Sequence, residues 1–234
     1  MKTRRIILLL TMAAMAFNMP MAAQDEVEIT VEADLVSHYV WRGQDCGHVS
    51  IQPTLGLAYK GFSLSAWGSV GLDADDTEEL DLTAAYETGG FHVGITDYWF
   101  NTGDGRYFAY AAHRTAHVFE ANVGYDFGPV ALQWYTNIAG NDGVTSRGKR
   151  AYSSYAELTA PFRLGGCEWE AALGLVPYAT TAYDVSGFAV TNLQLKATKS
   201  LHITDRFTLP LFAGLVANPA AEKAWLFFGF TLRP

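Results

Sequence analysis

The chain has 234 residues, 50% of them hydrophobic, 14% aromatic and 17% charged, with a formal net charge of −8. That composition excludes a disordered chain, and two cysteines exclude a disulfide scaffold. Asp and Glu outnumber Lys and Arg by 24 to 16, which argues against the basic stripe of a nucleic-acid binder, so no nucleic acid is expected as a partner.

Lys2, Arg4 and Arg5 precede an apolar run that ends near Phe17, and small residues follow at Ala22 and Ala23. This is the pattern of a secretory signal peptide over 1–23, removed to leave a single domain, 24–234. Removal takes the formal charge from −8 to −11, because three cations and no acid leave. No apolar segment in the remainder approaches the ~20 residues of a membrane helix, so any spanning falls to strands.

From there the chain alternates with period 2, as in Ile51-x-Pro53-x-Leu55-x-Leu57-x-Tyr59, then Phe62-x-Leu64-x-Ala66, and near the end Phe207-x-Leu209-x-Leu211-x-Ala213-x-Leu215. Such segments are strands with one apolar face, and almost no helix is expected. Short connections at 60–61, 88–90, 128–129, 163–166 and 199–205 alternate with longer polar ones near 42–50, 72–79, 101–116, 139–150, 179–187 and 218–223. Together they separate about twelve strands of the length a tilted strand needs to cross a bilayer. An even strand number puts both ends of the barrel domain on the side of the short turns, the periplasmic side of an outer-membrane barrel.

A soluble barrel would alternate in the same way with its apolar face inward. Aromatic placement favours the membrane. Tyr59, Phe62, Tyr86, Phe91, Tyr125, Phe127, Phe162 and Trp169 flank the short turns, and Tyr39, Trp41, Trp99, Trp134 and Tyr152 border the long loops, as two interfacial belts would. The opposite face carries Asp81, Glu120, Asp126, Glu157, Glu170 and Lys196, which lipid would not tolerate. They are therefore expected to line the lumen of a closed sheet. Asp97, in register with Ile95 and Trp99, breaks the apolar face and predicts a bulge or a strand end.

The stretch 39–71, with Tyr39-x-Trp41-Arg42-Gly43, Gln52-Pro53 and Ser65-Ala66-Trp67-Gly68, resembles the TorF-like family of porins. The resemblance covers about three strands and implies a transmembrane antiparallel up-and-down β-barrel with a channel role, and no particular substrate or functional residue.

Enzymatic signatures are missing: there is no GxSxG, HExxH or CxxC, so no enzyme, cofactor or metal centre is expected. His117, in register with Phe119, Ala121 and Val123, is the candidate for an outward histidine of a lipid hydrolase. The acidic run Asp73, Asp75, Asp76, Glu78, Glu79 and Asp81 offers oxygen ligands to calcium but lacks EF-hand spacing, and a solvated loop is the simpler reading. Arg42, at the mouth, is expected to pair with a lumen carboxylate and hold the first loop, or else to meet an anionic solute. The reading that results is a bacterial outer-membrane barrel for passive passage of small polar solutes, cations preferred, with membrane lipid and the barrel-insertion machinery as partners. The alternatives are a non-conducting structural or loop-presenting barrel, plugged by Trp67, Tyr135, Tyr155 and Trp225, and an outer-membrane lipid hydrolase. Cys46 and Cys167 are expected at opposite ends of the barrel and unpaired.

Overall fold

The computed structural model describes residues 26–73, 76, 78–101, 105–111, 115–205 and 207–234. The expected signal peptide, 1–23, lies outside the described residues, as does Asp75 of the acidic run. The described chain is all-β. Its strands are β1 (Glu28–Val36), β2 (Tyr39–Trp41), β3 (Gln44–Gly47), β4 (Ser50–Tyr59), β5 (Phe62–Gly71), β6 (Glu79–Thr88) and β7 (Phe91–Phe100). They continue with β8 (His117–Asp126), β9 (Ala131–Gly140), β10 (Ser154–Leu164), β11 (Cys167–Val176), β12 (Ala189–Thr204), β13 (Phe207–Asn218) and β14 (Lys223–Leu232).

Twelve of these close into one antiparallel barrel, in the order β1-β14-β13-β12-β11-β10-β9-β8-β7-β6-β5-β4. Closure is made by β1, which pairs with β4 on one side, as in Val31 opposite Leu55, and with β14 on the other, as in Leu35 opposite Phe230. Closing the sheet removes both edges, so each of the twelve wall strands has two hydrogen-bonding neighbours. The remaining pair, β2 and β3, forms a separate hairpin within the first long connection.

The short turns follow from backbone sterics. Lys60-Gly61, Gly89-Gly90 and Gly165-Gly166 have positive φ at both central residues, as two-residue hairpin turns matched to strand twist require. At the other end the connections are longer, except 219–222, which is as short as the turns.

Side-chain polarity is inverted relative to a soluble barrel. Leu226 is 69% exposed and Phe62 65%, whereas Tyr155 is 1% and Glu120 2% exposed, so the apolar face looks outward and the polar face lines the interior. Near the short turns, Phe62 and Tyr86, Tyr125 and Phe127, and Phe162 and Trp169 pack ring against ring in a partial girdle.

Two expectations need correction. β7 runs through Asp97 without bulge or termination, with Asp97 opposite Leu82 and Phe119. The irregularity lies one strand pair on, between Phe119 and Glu120 where β8 meets β9. Asp97 is tolerated on the outer wall because its Oδ1 lies 2.7 Å from His117 Nδ1, which supplies a polar partner in place of water. Tyr39 and Trp41, expected in an outer belt, instead belong to the β2–β3 hairpin and pack against Trp67 and Tyr98 of the inner wall. Strand parity could not show this, because β2 is not a wall strand.

Cys46 and Cys167 are both free. Detergent-refolded protein should migrate faster on SDS gels unheated than boiled, since a closed barrel resists SDS. Alkylation in denaturant without reductant should add two groups. A single mobility, or failure of both thiols to alkylate, would contradict the closed barrel or its strand order.

Candidate functional site

The centre of the interior is built on a turn. Trp41 and Gln44 pair across Arg42-Gly43, and both turn residues have positive φ, 51° and 75°. Glycine takes this conformation freely, whereas arginine in it is uncommon. A side chain at Gly43 is further excluded because its Cβ would collide with the carbonyl oxygen of Thr191, so the backbone of the turn lies directly on β12. Asn218 at the end of β13 donates from Nδ2 to the Gly43 carbonyl at 2.9 Å.

From that turn Arg42 enters a polar and aromatic cage. Its Nη1 donates to Glu120 Oε2 at 2.6 Å and its Nη2 to Glu120 Oε1 at 2.9 Å, a bidentate pair that planar guanidinium and carboxylate groups make and an ammonium cannot. Nη1 also donates to the Tyr183 hydroxyl at 2.8 Å. The guanidinium carbon lies 4.3, 4.0 and 4.7 Å from the ring centres of Trp41, Tyr135 and Tyr155. Such faces attract a cation most strongly once it is desolvated, and the Arg42 and Glu120 side chains are 7% and 2% exposed. Tyr98 completes the set by donating to Glu120 Oε1 at 2.9 Å. Burial holds the Tyr183 phenol above its ordinary pKa against the lowering pull of Arg42, so it stays neutral and accepts from Arg42.

The hairpin reaches wall after wall. Tyr39 donates to Glu79 Oε2 on β6 at 3.0 Å and packs on Trp67 of β5, and Trp41 packs on Tyr98 of β7 and stacks on Tyr183 of the β11–β12 connection. With Glu120 on β8, Tyr135 on β9, Tyr155 on β10, Thr191 on β12 and Asn218 on β13, the hairpin crosses the interior. The first long connection therefore enters the barrel.

The expected lumen residues separate by depth. Asp81, Glu120 and Glu157 sit on the long-loop half and are 2%, 2% and 7% exposed. Glu157 accepts from the Tyr155 hydroxyl and, at 3.1 Å, from Asn192 Nδ2. Glu170 and Lys196 face each other across β11 and β12 lower down, where Lys196 lies over the Phe212 ring at 4.7 Å and near Asp34 and Glu32. Glu32 in turn accepts from Arg233 Nε at 2.9 Å. Asp126 is at the short-turn end, where its Oδ1 caps the Gly128 amide at 2.6 Å, far from the Arg42 cage. The fold thus unites Arg42 with Glu120, places Glu157 beside Tyr155 of the cage, and leaves Glu170, Lys196 and Asp126 apart.

Sequence reasoning missed Tyr98 and Tyr183. Tyr98 has the parity of an inward residue in β7 and was legible in principle, whereas Tyr183 lies in a connection and only the fold brings it to Arg42. His117 sits on the outer wall, fully buried beneath Tyr107 and Tyr110. Its Nδ1 meets Asp97 and its Nε2 meets the Tyr107 carbonyl, so both ring nitrogens are engaged in holding the 105–111 segment against the barrel.

The fold and site together define a closed twelve-stranded β-barrel with an inward hairpin locked by a buried ion pair. No family model and no curated protein matches the chain. Among solved structures, a porin refined at 1.8 Å resolution is similar over 82% of this chain and 63% of its own, at 14% identity and a TM-score of 0.38, so the chain spans less than two thirds of that porin's length.

Removing one partner of a buried ion pair leaves the other uncompensated and costs of order 3–5 kcal/mol, whereas an exposed pair is worth about 0–1 kcal/mol. Glu120→Gln should therefore lower unfolding stability in denaturant by several-fold more than Glu168→Gln, which breaks the exposed pair of Glu168 with Arg163. Equal effects of the two substitutions would show that the Arg42 cage does not anchor the fold.

Proposed function

We propose that this protein is an outer-membrane barrel of the porin type that lets small polar solutes through, cations ahead of anions, with the β2–β3 hairpin as its constriction. The observation that carries the reading is the inverted polarity of the closed sheet: outward-facing aliphatic and aromatic side chains suit lipid, and inward-facing carboxylates suit hydrated solutes. A bacterial outer-membrane location, lipid around the wall and assembly by the barrel-insertion machinery go with that reading. A kinship with the TorF-like porins goes with the same reading, and the residues that carry that resemblance, Tyr39, Trp41, Arg42 and Gly43, build and seat the hairpin.

Charge sets the preference. Arg42 neutralises Glu120, and the inner-wall carboxylates that can attract cations on the long-loop half include Glu79, Asp81 and Glu157. In a wall of low dielectric these concentrate cations and repel anions without any bond being made. A second reading, a non-conducting barrel, is favoured by one observation: the hairpin reaches the wall on eight strands from β5 to β13.

Planar-bilayer recording separates the two. Passage requires conductance steps in the wild type that grow on Arg42→Ala, because the hairpin loses its anchor. A silent wild type with a conducting Arg42→Ala means a plug, and silence of both overturns the channel reading. Asp81→Asn with Glu157→Gln should move the reversal potential of the conducting form away from cation preference, more at low salt, because the screening length is about 10 Å at 0.1 M. Anion preference in the parent, or no shift in the variant, would remove these carboxylates from the passage.

A further inference from the structure

The long-loop rim holds a second cluster, outside the Arg42 cage. His48 lies in the turn between β3 and β4, and Asp73 and Asp76 lie in the connection from β5 to β6. One ligand atom from each converges, all within 4.8 Å of one another. His48 Nδ1 is 3.5 Å from Asp73 Oδ2 and 3.4 Å from Asp76 Oδ1. These separations exceed those of ordinary N–H···O hydrogen bonds. They match the edge of a tetrahedron around an ion with bonds of about 2.1 Å, roughly 3.4 Å.

Two further observations point to a ligand. The Asp76 side chain is 8% exposed; among the described residues its Oδ2 is buried with no hydrogen-bond partner, and the contacts of Oδ1 with His48, to Nδ1 and from the amide, are both long at 3.4 Å. A buried carboxylate oxygen left unmatched is costly unless something else satisfies it. The backbone also makes room for this carboxylate. A Cβ at Gly71 would collide with the Asp76 side chain, and one at Gly47 would sit 3.0 Å from Oδ1, so two glycines cradle it.

We propose that His48, Asp73 and Asp76 form a binding site for a divalent metal of the zinc type, with water completing the coordination. One imidazole and two carboxylates suit a borderline ion, whereas calcium prefers a shell of oxygens alone. The site is accessible, since the His48 and Asp73 side chains are 64% and 68% exposed. His38 stands beside it, its ring 5.5 Å from that of His48, but its Nε2 is engaged by Asp45 Oδ1 at 3.0 Å and it is not in the ligand set. Because His48 follows β3 directly, the metal ties the root of the inward hairpin to the β5–β6 connection, next to the backbone bond from Leu72 to Val49. This binding does not depend on the channel reading.

The test is calorimetric titration of Zn²⁺ into the refolded, detergent-solubilised chain. One Zn²⁺ per chain is expected, and His48→Ala and Asp76→Asn should each weaken it by about tenfold or more. His202→Ala, on the short-turn side, should bind as the parent does. Asp73→Asn alters an exposed side chain and keeps the test readable if the Asp76 variant fails to close, as judged by unheated gel mobility; it too should weaken binding. A large excess of Ca²⁺ should not displace the zinc. Absence of binding at about 100 μM Zn²⁺, unchanged affinity in the His48 and Asp73 variants, or displacement by Ca²⁺ would each overturn the proposal.

Discussion

The bidentate contact between Arg42 and Glu120 is the interaction on which the interior depends. A carboxylate on the inner wall at 2% exposure is tolerable only if its charge and lone pairs are met, and Glu120 meets both guanidinium nitrogens and the Tyr98 hydroxyl. The arginine needs matching just as much, and receives Glu120, Tyr183 and three aromatic faces. Neither residue could occupy its place without the other. Lysine at position 42 would keep the charge but lose the fork and the flat stacking surface that the cage of rings is shaped to take.

The turn geometry follows from that demand. To deliver its side chain to β8 while its backbone lies on β12, Arg42 adopts a left-handed conformation, and Gly43 beside it gives up any side chain so that the Thr191 carbonyl can approach. Backbone strain at a non-glycine residue persists where surrounding contacts over-determine it. Here those contacts come from β8, β9, β10 and the β11–β12 connection. The hairpin is positioned by its tip, not by its own two short strands.

Period-2 patterning makes the wall legible in the sequence, because each wall strand separates lipid-suited from interior-suited side chains and turn residues such as Lys60-Gly61 mark its ends. Asp81, Glu120 and Glu157 can be assigned a face by parity alone. The hairpin cannot. Residues 42–50 read as a polar loop, with Tyr39 and Trp41 as belt aromatics at its edge, and nothing local says whether such a segment projects outward or folds in. That choice is decided by partners far along the chain, such as Glu120 and Tyr183, 78 and 141 residues from Arg42. Asp97 fails to produce a bulge for the same reason: its partner, His117, lies across a strand pair, and a polar residue that finds a partner no longer has to break the sheet.

The energetics of the buried pair also bear on how firmly the hairpin closes the barrel. Contacts on eight strands suggest a permanent plug, but two buried charges return much of their mutual attraction as lost hydration, so the net worth of the pair is far smaller than the cost of losing one partner. Moving the hairpin as a unit removes both partners from each other and rehydrates both, which is the less costly route. The tether supports such a move, since the segment 37–49 leaves from β1 and returns to β4, two paired wall strands that need not part when its tip swings. Lower in the barrel, Glu170, Lys196, Glu32 and Arg233 interact with one another and owe nothing to Arg42. The wall therefore retains its own polar partners when the tip leaves, and a constriction that is secure residue by residue can still be displaced as a whole.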